Sequence, residues 1–281
     1  MLIAFAILSA VLAIFFVLKS DRALLTHPKG VIARSELKLI TTNILLMLVV
    51  IVPTYFFLFW VAWKYRSKNA KSKQKSSPSQ GPFRELILWI IPSIVVLVMA
   101  IITWKATHAL DPYRKLESEN KTLKIQVIAL DWKWLFIYPE QGIATLNFVQ
   151  FPEKTPIHFE LAADNSPMNS FWIPQLSGQI YAMSGMVTPL HIMADGAGTY
   201  VGRASEINGE GFADMTFVVK STSLSEFEEW VNTAKGSAFP LTHSTYETLL
   251  QKAVNNSVIL YSDVEKDLFH HVVMKYMHCC P

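Results

Sequence analysis

Two stretches of this chain carry no charged residue for long enough to cross a membrane, and the rest of the fold has to be arranged around them. Residues 39–63 read LITTNILLMLVVIVPTYFFLFWVAW and residues 86–104 read LILWIIPSIVVLVMAIITW. A hydrocarbon core of about 30 Å takes a helix of roughly 20 apolar residues. Each stretch holds one proline, Pro53 and Pro92, which membrane helices tolerate where neighbours satisfy the freed backbone groups. Trp60, Trp63, Trp89 and Trp104 stand near the segment ends, as interfacial anchors do. The pattern predicts a transmembrane helical hairpin over residues 39–104.

Charge fixes its orientation. The connecting loop 64–84, KYRSKNAKSKQKSSPSQGPFR, has seven Lys or Arg and no acid, so it faces the cytoplasm and both flanking regions lie outside, in the periplasm of a bacterium. Residues 1–104 hold 12 basic against 3 acidic side chains, and residues 105–281 hold 13 against 19. A basic apolar half joined to an acidic polar half is a membrane anchor with an aqueous domain, not a nucleic-acid binder. A further uncharged run at residues 1–18 makes 1–20 a signal sequence or signal anchor. Cys279 and Cys280, the only cysteines, supply no disulfide framework.

Past THALDPYRK the texture turns to short alternating runs with turn residues between them. TLKIQVIAL sets Leu123, Ile125, Val127 and Ala129 on one face; PIHFELA alternates Ile157, Phe159 and Leu161; PLHIMA and MTFVVK follow suit. Such strands over residues 120–222 predict an antiparallel Greek-key β-sandwich, the class that contains cupredoxins. From 223 to 281 the pattern is helical. Leu224, Phe227, Trp230 and Val231 share a face, Ser223 and Glu226 form a capping box, and further helices are expected near 243–254 and 263–277. The fold class is a membrane-anchored α+β chain.

Within GRASEINGEGFADM, Ala204, Glu206, Asn208, Phe212 and Met215 stand at offsets 0, 2, 4, 8 and 11. These are the offsets of C-x-E-x-C-x-x-x-H-x-x-M, the loop that holds two copper ions in subunit II of haem-copper oxidases. The chain resembles that family from about residue 28 onward. ALDWKWLFIYPEQGIATLN and SPMNSFWIPQLSGQIYAMSGM resemble the subunits II of cytochrome bo-type ubiquinol oxidases more specifically, and HPKG and WKATHALDP do so less specifically. The resemblance places the two thiolates at Ala204 and Asn208, the loop imidazole at Phe212 and the upstream imidazole at Asn169. Met215 keeps the thioether, and at Glu206 the family uses only the backbone carbonyl. Copper in a fast redox site takes soft sulfur and imidazole donors. One thioether and one carbonyl cannot hold it, so no metal is expected in this chain. The emptied loop predicts that Phe212 fills the imidazole volume and that Asn169 and Asn208 hydrogen-bond to nearby backbone.

The resemblance further implies an accessory subunit of a proton-pumping ubiquinol oxidase in the bacterial inner membrane. Haems, one copper and ubiquinol would belong to subunit I of the complex. The partners would be subunit I, smaller membrane subunits and lipid, with no soluble cytochrome c. Alternatives are a cytochrome c oxidase subunit and a free-standing cupredoxin-like binding protein. Glu85, the only acid between residues 37 and 110, matches the family position whose Glu opens a proton-uptake route. A carboxylate at an aqueous–membrane boundary suits proton collection, although an interfacial charge beside Arg84 would look the same. His158 and His191 fall in strand patterns and read as structural. Trp132, Trp134, Phe136 and Tyr138 alternate as sandwich core, and His270, His271 and His278 with the two cysteines read as a frayed tail rather than a chelate.

Overall fold

The computed structural model describes residue 20 and residues 23–66, 82–118, 120–166, 168–254 and 257–277. The apolar run 1–18, most of the basic loop 64–84 and His278, Cys279 and Cys280 lie outside the described residues. The chain divides into two units, residues 37–111 and the remainder.

The first unit is built on α1 (Val31–Lys64) and α2 (Pro82–Ala109). Both helices run beyond the uncharged stretches, because the flanking Lys, Ser, Thr and Ala residues do not break helix. Their hydroxyls are satisfied by carbonyls one turn back: Thr42 donates to Lys38 at 2.8 Å, Thr54 to Val50 at 2.7 Å and Ser93 to Trp89 at 2.7 Å. That internal bonding allows polar residues in an apolar span. Trp63 and Trp89 are each 71% exposed and Phe59 is 67% exposed. Continuous apolar surface of this extent requires lipid or a partner subunit against it.

The second unit is a β-sandwich. Its strands are β1 (Leu123–Leu130), β2 (Lys133–Tyr138), β3 (Ile143–Leu146), β4 (Phe148–Pro152), β5 (Ile157–Ala163), β6 (Met168–Trp172), β7 (Ile180–Met183), β8 (Thr188–Ile192), β9 (Gly198–Ala204), β10 (Thr216–Thr222) and β11 (Ile259–Tyr261). One sheet has the order β11-β3-β2-β1-β5-β8 and the other β4-β10-β9-β6-β7. The pairing is not purely antiparallel, since β1 runs parallel to β5 and β4 parallel to β10. Residues Ile125, Val127, Trp134, Phe136, Phe159 and Leu161 of the first sheet face Phe151, Phe171, Phe217 and Val219 of the second. Phe171 is the hub. It stacks on Phe217 at 5.0 Å between centroids and meets Trp134 edge-on at 5.2 Å, the offset and T-shaped arrangements that aromatic quadrupoles favour.

The other face of the first sheet carries a second core. Ile128, Leu130, Leu135, Ile137, Ala144 and Leu146 are covered by Leu241, Tyr246, Tyr261, Leu268, Phe269, Val272 and Val273 of the C-terminal segment. All six residues of β2 are therefore buried. The segment is not helical throughout, as the sequence suggested. α3 (Leu224–Lys235), α4 (His243–Leu249) and α5 (Leu268–Met277) are interrupted by β11, which pairs with β3. Nor are His270 and His271 a frayed tail: they are exposed positions of α5, whose opposite face is buried.

The capping box forms as the sequence implies. Ser223 Oγ accepts from the Glu226 amide, and the Glu226 carboxylate accepts from the Ser223 amide. Leu224, however, is exposed, and the buried face of α3 is Phe227, Val231 and Ala234. Ser223→Ala should cost about 1 kcal/mol of domain stability, read as a lower denaturation midpoint at unchanged m-value.

A strap of residues 27–36 is laid against the sandwich. The Lys29 amide donates to Gln175 O at 2.7 Å, the Asp195 amide donates to Lys29 O at 2.9 Å, and Arg34 pairs with Asp195. A Cβ on Gly30 would lie 2.7 Å from Leu176 O, so only glycine admits the strap this close.

Candidate functional site

The loop between β9 and β10 brings together the residues singled out in the sequence. Ala204 closes β9, is buried, and lies opposite Phe171 of β6. Its amide donates to Met215 O at 3.0 Å, and the Ser205 amide donates to Ser170 O at 3.1 Å. These bonds hold the frame in which Asn169, at the start of β6, faces Asn208 and Met215. Asn169 and Met215 are fully buried.

The side chains are arranged differently from the expectation. Asn208 Nδ2 donates to Asn169 Oδ1 and lies 3.0 Å from Met215 Sδ, while Asn169 Nδ2 donates to Ser166 Oγ at 2.7 Å. Among the described residues neither amide bonds to backbone. Asn208 Oδ1 has no partner among the described residues, a cost of about 1–3 kcal/mol for a buried acceptor. Phe212 opens a single 3-10 turn, Phe212–Asp214, and is partly buried against the main core.

Glu206 accepts from Tyr181 OH at 3.2 Å. Beside it, Ser170 Oγ lies 2.6 Å from Ser205 Oγ and donates to Gln179 Oε1 at 3.1 Å. Trp132 is set apart from Trp134, Phe136 and Tyr138. It sits in the β1–β2 turn at φ 58° and is only partly buried. The Gly211 Cα lies so close to its ring that a Cβ would come within 2.3 Å, so this glycine lets the loop close over the indole.

Chemically, the socket offers two carboxamides and one thioether. Carboxamide oxygen is a hard donor, whereas copper in a fast redox site takes soft sulfur and imidazole. Glu85 belongs to the other unit. Its backbone lies in the opening turn of α2, and its side chain is outside the described residues.

Sequence reading missed two features. Lys133 is 2% exposed and its ammonium donates to Leu249 O at 2.7 Å and Gln251 O at 2.6 Å, tying the end of α4 to β2. Burial pushes its pKa down, against the pull of Asp131. Asp164, 1% exposed, accepts from Tyr246 OH at 2.7 Å, Tyr276 OH at 2.6 Å and Lys275 Nζ at 2.9 Å. Only the aromatic spacing of the C-terminal segment could have signalled the second.

Residues 140–222 match the family described as cytochrome c oxidase subunit II, periplasmic domain, and residues 235–279 match the COX aromatic rich motif. With two apolar helices ahead of such a domain, the class is that of the membrane-anchored subunits II of haem-copper oxidases. The chain is 42% identical over 254 residues to cytochrome bo(3) ubiquinol oxidase subunit 2 of Pseudomonas aeruginosa, covering 90% of this chain and 76% of that one. It is 42% identical over 251 residues to ubiquinol oxidase subunit 2 of Acetobacter aceti, covering 89% and 81%. Cytochrome bo(3) ubiquinol oxidase subunit 2 of Buchnera aphidicola from Schizaphis graminum is 39% identical over 262 residues, covering 92% and 90%. The chain belongs to the ubiquinol oxidase subunit 2 family.

Proposed function

We propose that this chain is the copper-free subunit II of a proton-pumping ubiquinol oxidase in the bacterial inner membrane, with its sandwich in the periplasm. The complex oxidises ubiquinol and reduces O₂ to water, with the haems and one copper in subunit I. This chain binds subunit I and smaller membrane subunits through α1 and α2, whose exposed apolar faces need such cover, and contributes Glu85 to proton uptake. It receives no electrons from a soluble cytochrome c and has no catalytic centre of its own.

The observation that carries this reading is the donor set at the socket: Asn169, Asn208 and Met215 bonded to one another, with Ala204 and Phe212 where sulfur and imidazole would be needed. Electrons delivered by quinol within the membrane make a copper relay in the outer domain redundant, and the loop then persists as part of the fold. The purified chain, equilibrated with copper and desalted, should retain no dinuclear centre. Two coppers per chain with a purple mixed-valence spectrum would instead make it a cytochrome c oxidase subunit. Native purification should co-isolate a haem-bearing multi-spanning subunit, whereas a free-standing binding protein would come away alone.

A further inference from the structure

On the outer face of the first sheet, away from the C-terminal cover, two histidines stand directly opposite each other on adjacent strands. His158 of β5 is the register partner of His191 of the edge strand β8. Their rings lie 4.5 Å apart between centroids, with His158 Nδ1 2.8 Å from His191 Nε2. Each ring has a partner at its other nitrogen. His191 Nδ1 lies 3.0 Å from Pro112 O, and His158 Nε2 lies 3.6 Å from Glu160 Oε1.

These outer partners decide where the protons go. A carbonyl only accepts, so His191 carries its proton on Nδ1 and turns a bare lone pair at Nε2 toward His158. His158 Nδ1 therefore donates its proton to His191 Nε2 in the metal-free pair, and a divalent ion would take the place of that one proton between the rings. A backbone carbonyl on one imidazole and a carboxylate on the other are the outer-shell partners that orient histidines bound to metal. Lys124, the register partner of His158 on β1, is held to Glu160 at 2.7 Å, and Gln126 donates to the same carboxylate at 3.2 Å. Lys124 is thereby drawn to the acid rather than to the gap between the rings.

We propose that His191 Nε2 and His158 Nδ1 form a two-imidazole chelate for a divalent transition-metal ion, with Cu²⁺ preferred. Metal–imidazole bonds of about 2.0–2.1 Å set at right angles, as in tetragonal Cu²⁺, place the two nitrogens about 2.9 Å apart. A tetrahedral ion needs about 3.3 Å at the same bond length, so Zn²⁺ demands a wider opening. Both rings turn so that their lone pairs converge, and β8, paired only with β5 in its sheet, can yield. Among the described residues no three His, Cys, Asp or Glu side chains form a metal cluster, so water completes the coordination and the ion exchanges freely. When bound, the ion fastens the edge strand to β5 and, through His191, to the linker at Pro112.

The test is Cu²⁺ titration of the full-length chain in detergent, followed by calorimetry and by nitrogen hyperfine structure in electron paramagnetic resonance. Wild-type protein should bind one ion more than His158→Gln, through two imidazole nitrogens, more tightly than it binds Zn²⁺ and with no response to Mg²⁺. Glu160→Gln should weaken that ion about tenfold through loss of the outer-shell partner. His270→Gln with His271→Gln, on α5, should leave it untouched. Cu²⁺ should raise the Tm of wild type but not of His158→Gln, a readout that holds even if His191→Gln folds poorly. Identical titrations and spectra for wild type and His158→Gln would overturn the chelate and leave a pair that shares only a proton. The experiment is independent of the copper-free socket, because His158→Gln leaves Asn169, Asn208 and Met215 intact.

Discussion

Glu85→Gln should slow quinol oxidase turnover by about an order of magnitude while assembly and haem content stay at wild-type levels. The group is an isolated carboxylate: no other acid occurs between residues 37 and 110, and a loop with seven basic residues precedes it. Its place in the opening turn of α2 sets it where water ends and the apolar span begins. Positioned proton-transfer groups commonly contribute ~10²–10⁴ in rate. A collecting group at an aqueous mouth should contribute less than a group at the reacting centre, because water can deliver protons past it. Glu85→Asp keeps an exchangeable proton one methylene shorter and should recover most of the lost rate. A charge that only marked the helix end would give a different pair of results, with turnover per haem normal in both variants or assembly lost in both. Wild-type turnover in Glu85→Gln would remove the proton-uptake role and leave the chain a scaffold.

The parts of this structure that were legible in the sequence are those fixed by local pattern. Uncharged runs with Trp near their ends predicted α1 and α2, alternation predicted β1, β2, β5, β8 and β10, and Ser223 with Glu226 predicted the start of α3 and its capping box. The misses share a cause, which is that a second layer changes the meaning of a local pattern. Ile128, Leu130, Leu135 and Ile137 occupy the outward phase of β1 and β2, for which alternation alone offers no cover. They are the second core, and only the C-terminal segment, more than 100 residues later, explains them. β11 is three residues long and pairs with distant β3, too short to carry a period of its own. Leu224 completed an apolar stripe on paper but stands at the first position of α3, where the helix has not yet reached the sandwich.

The socket was legible in position but not in bonding. Ala204 and Met215 are held together by a bond between the loop's own ends, the Ala204 amide donating to Met215 O. That Asn208 would meet Asn169, 39 residues away, depended on the register of β6 against β9. That register brings the two side chains together, so Asn169 and Asn208 are partners of each other instead of bonding separately to backbone. His158 and His191 were hidden for the same reason: each alone suits a strand, and only the β5–β8 register sets them 2.8 Å apart.

Asp164→Ala should destabilise the outer domain by about 3–5 kcal/mol, since hydrogen bonds to a charged group contribute roughly 1.5–3 kcal/mol each and this carboxylate accepts three. The three are unequal. Lys275 is about half exposed, so its ammonium rehydrates and its loss weighs least. Tyr246 is 2% exposed; burial, and then the Asp164 charge, push its pKa far up, so it remains a donor and would be left with nothing to donate to. Tyr276 keeps one contact, as acceptor from the Asn165 amide at 2.9 Å. Loss of the carboxylate alone should not free the C-terminal segment. Leu268, Phe269, Val272 and Val273 remain buried against the sheet, and at about 1.5–3 kcal/mol for each large aliphatic or aromatic side chain they outweigh the clasp. The expected result is therefore a lower midpoint in chemical denaturation and faster proteolysis in residues 236–242, with the segment still bound in the native state. Asp164→Asn, which keeps one acceptor and the shape, should lose less than half as much, and Tyr276→Phe less again. Stability of Asp164→Ala within about 0.5 kcal/mol of wild type, the range of ordinary surface substitutions, would show that the apolar layer alone holds the segment.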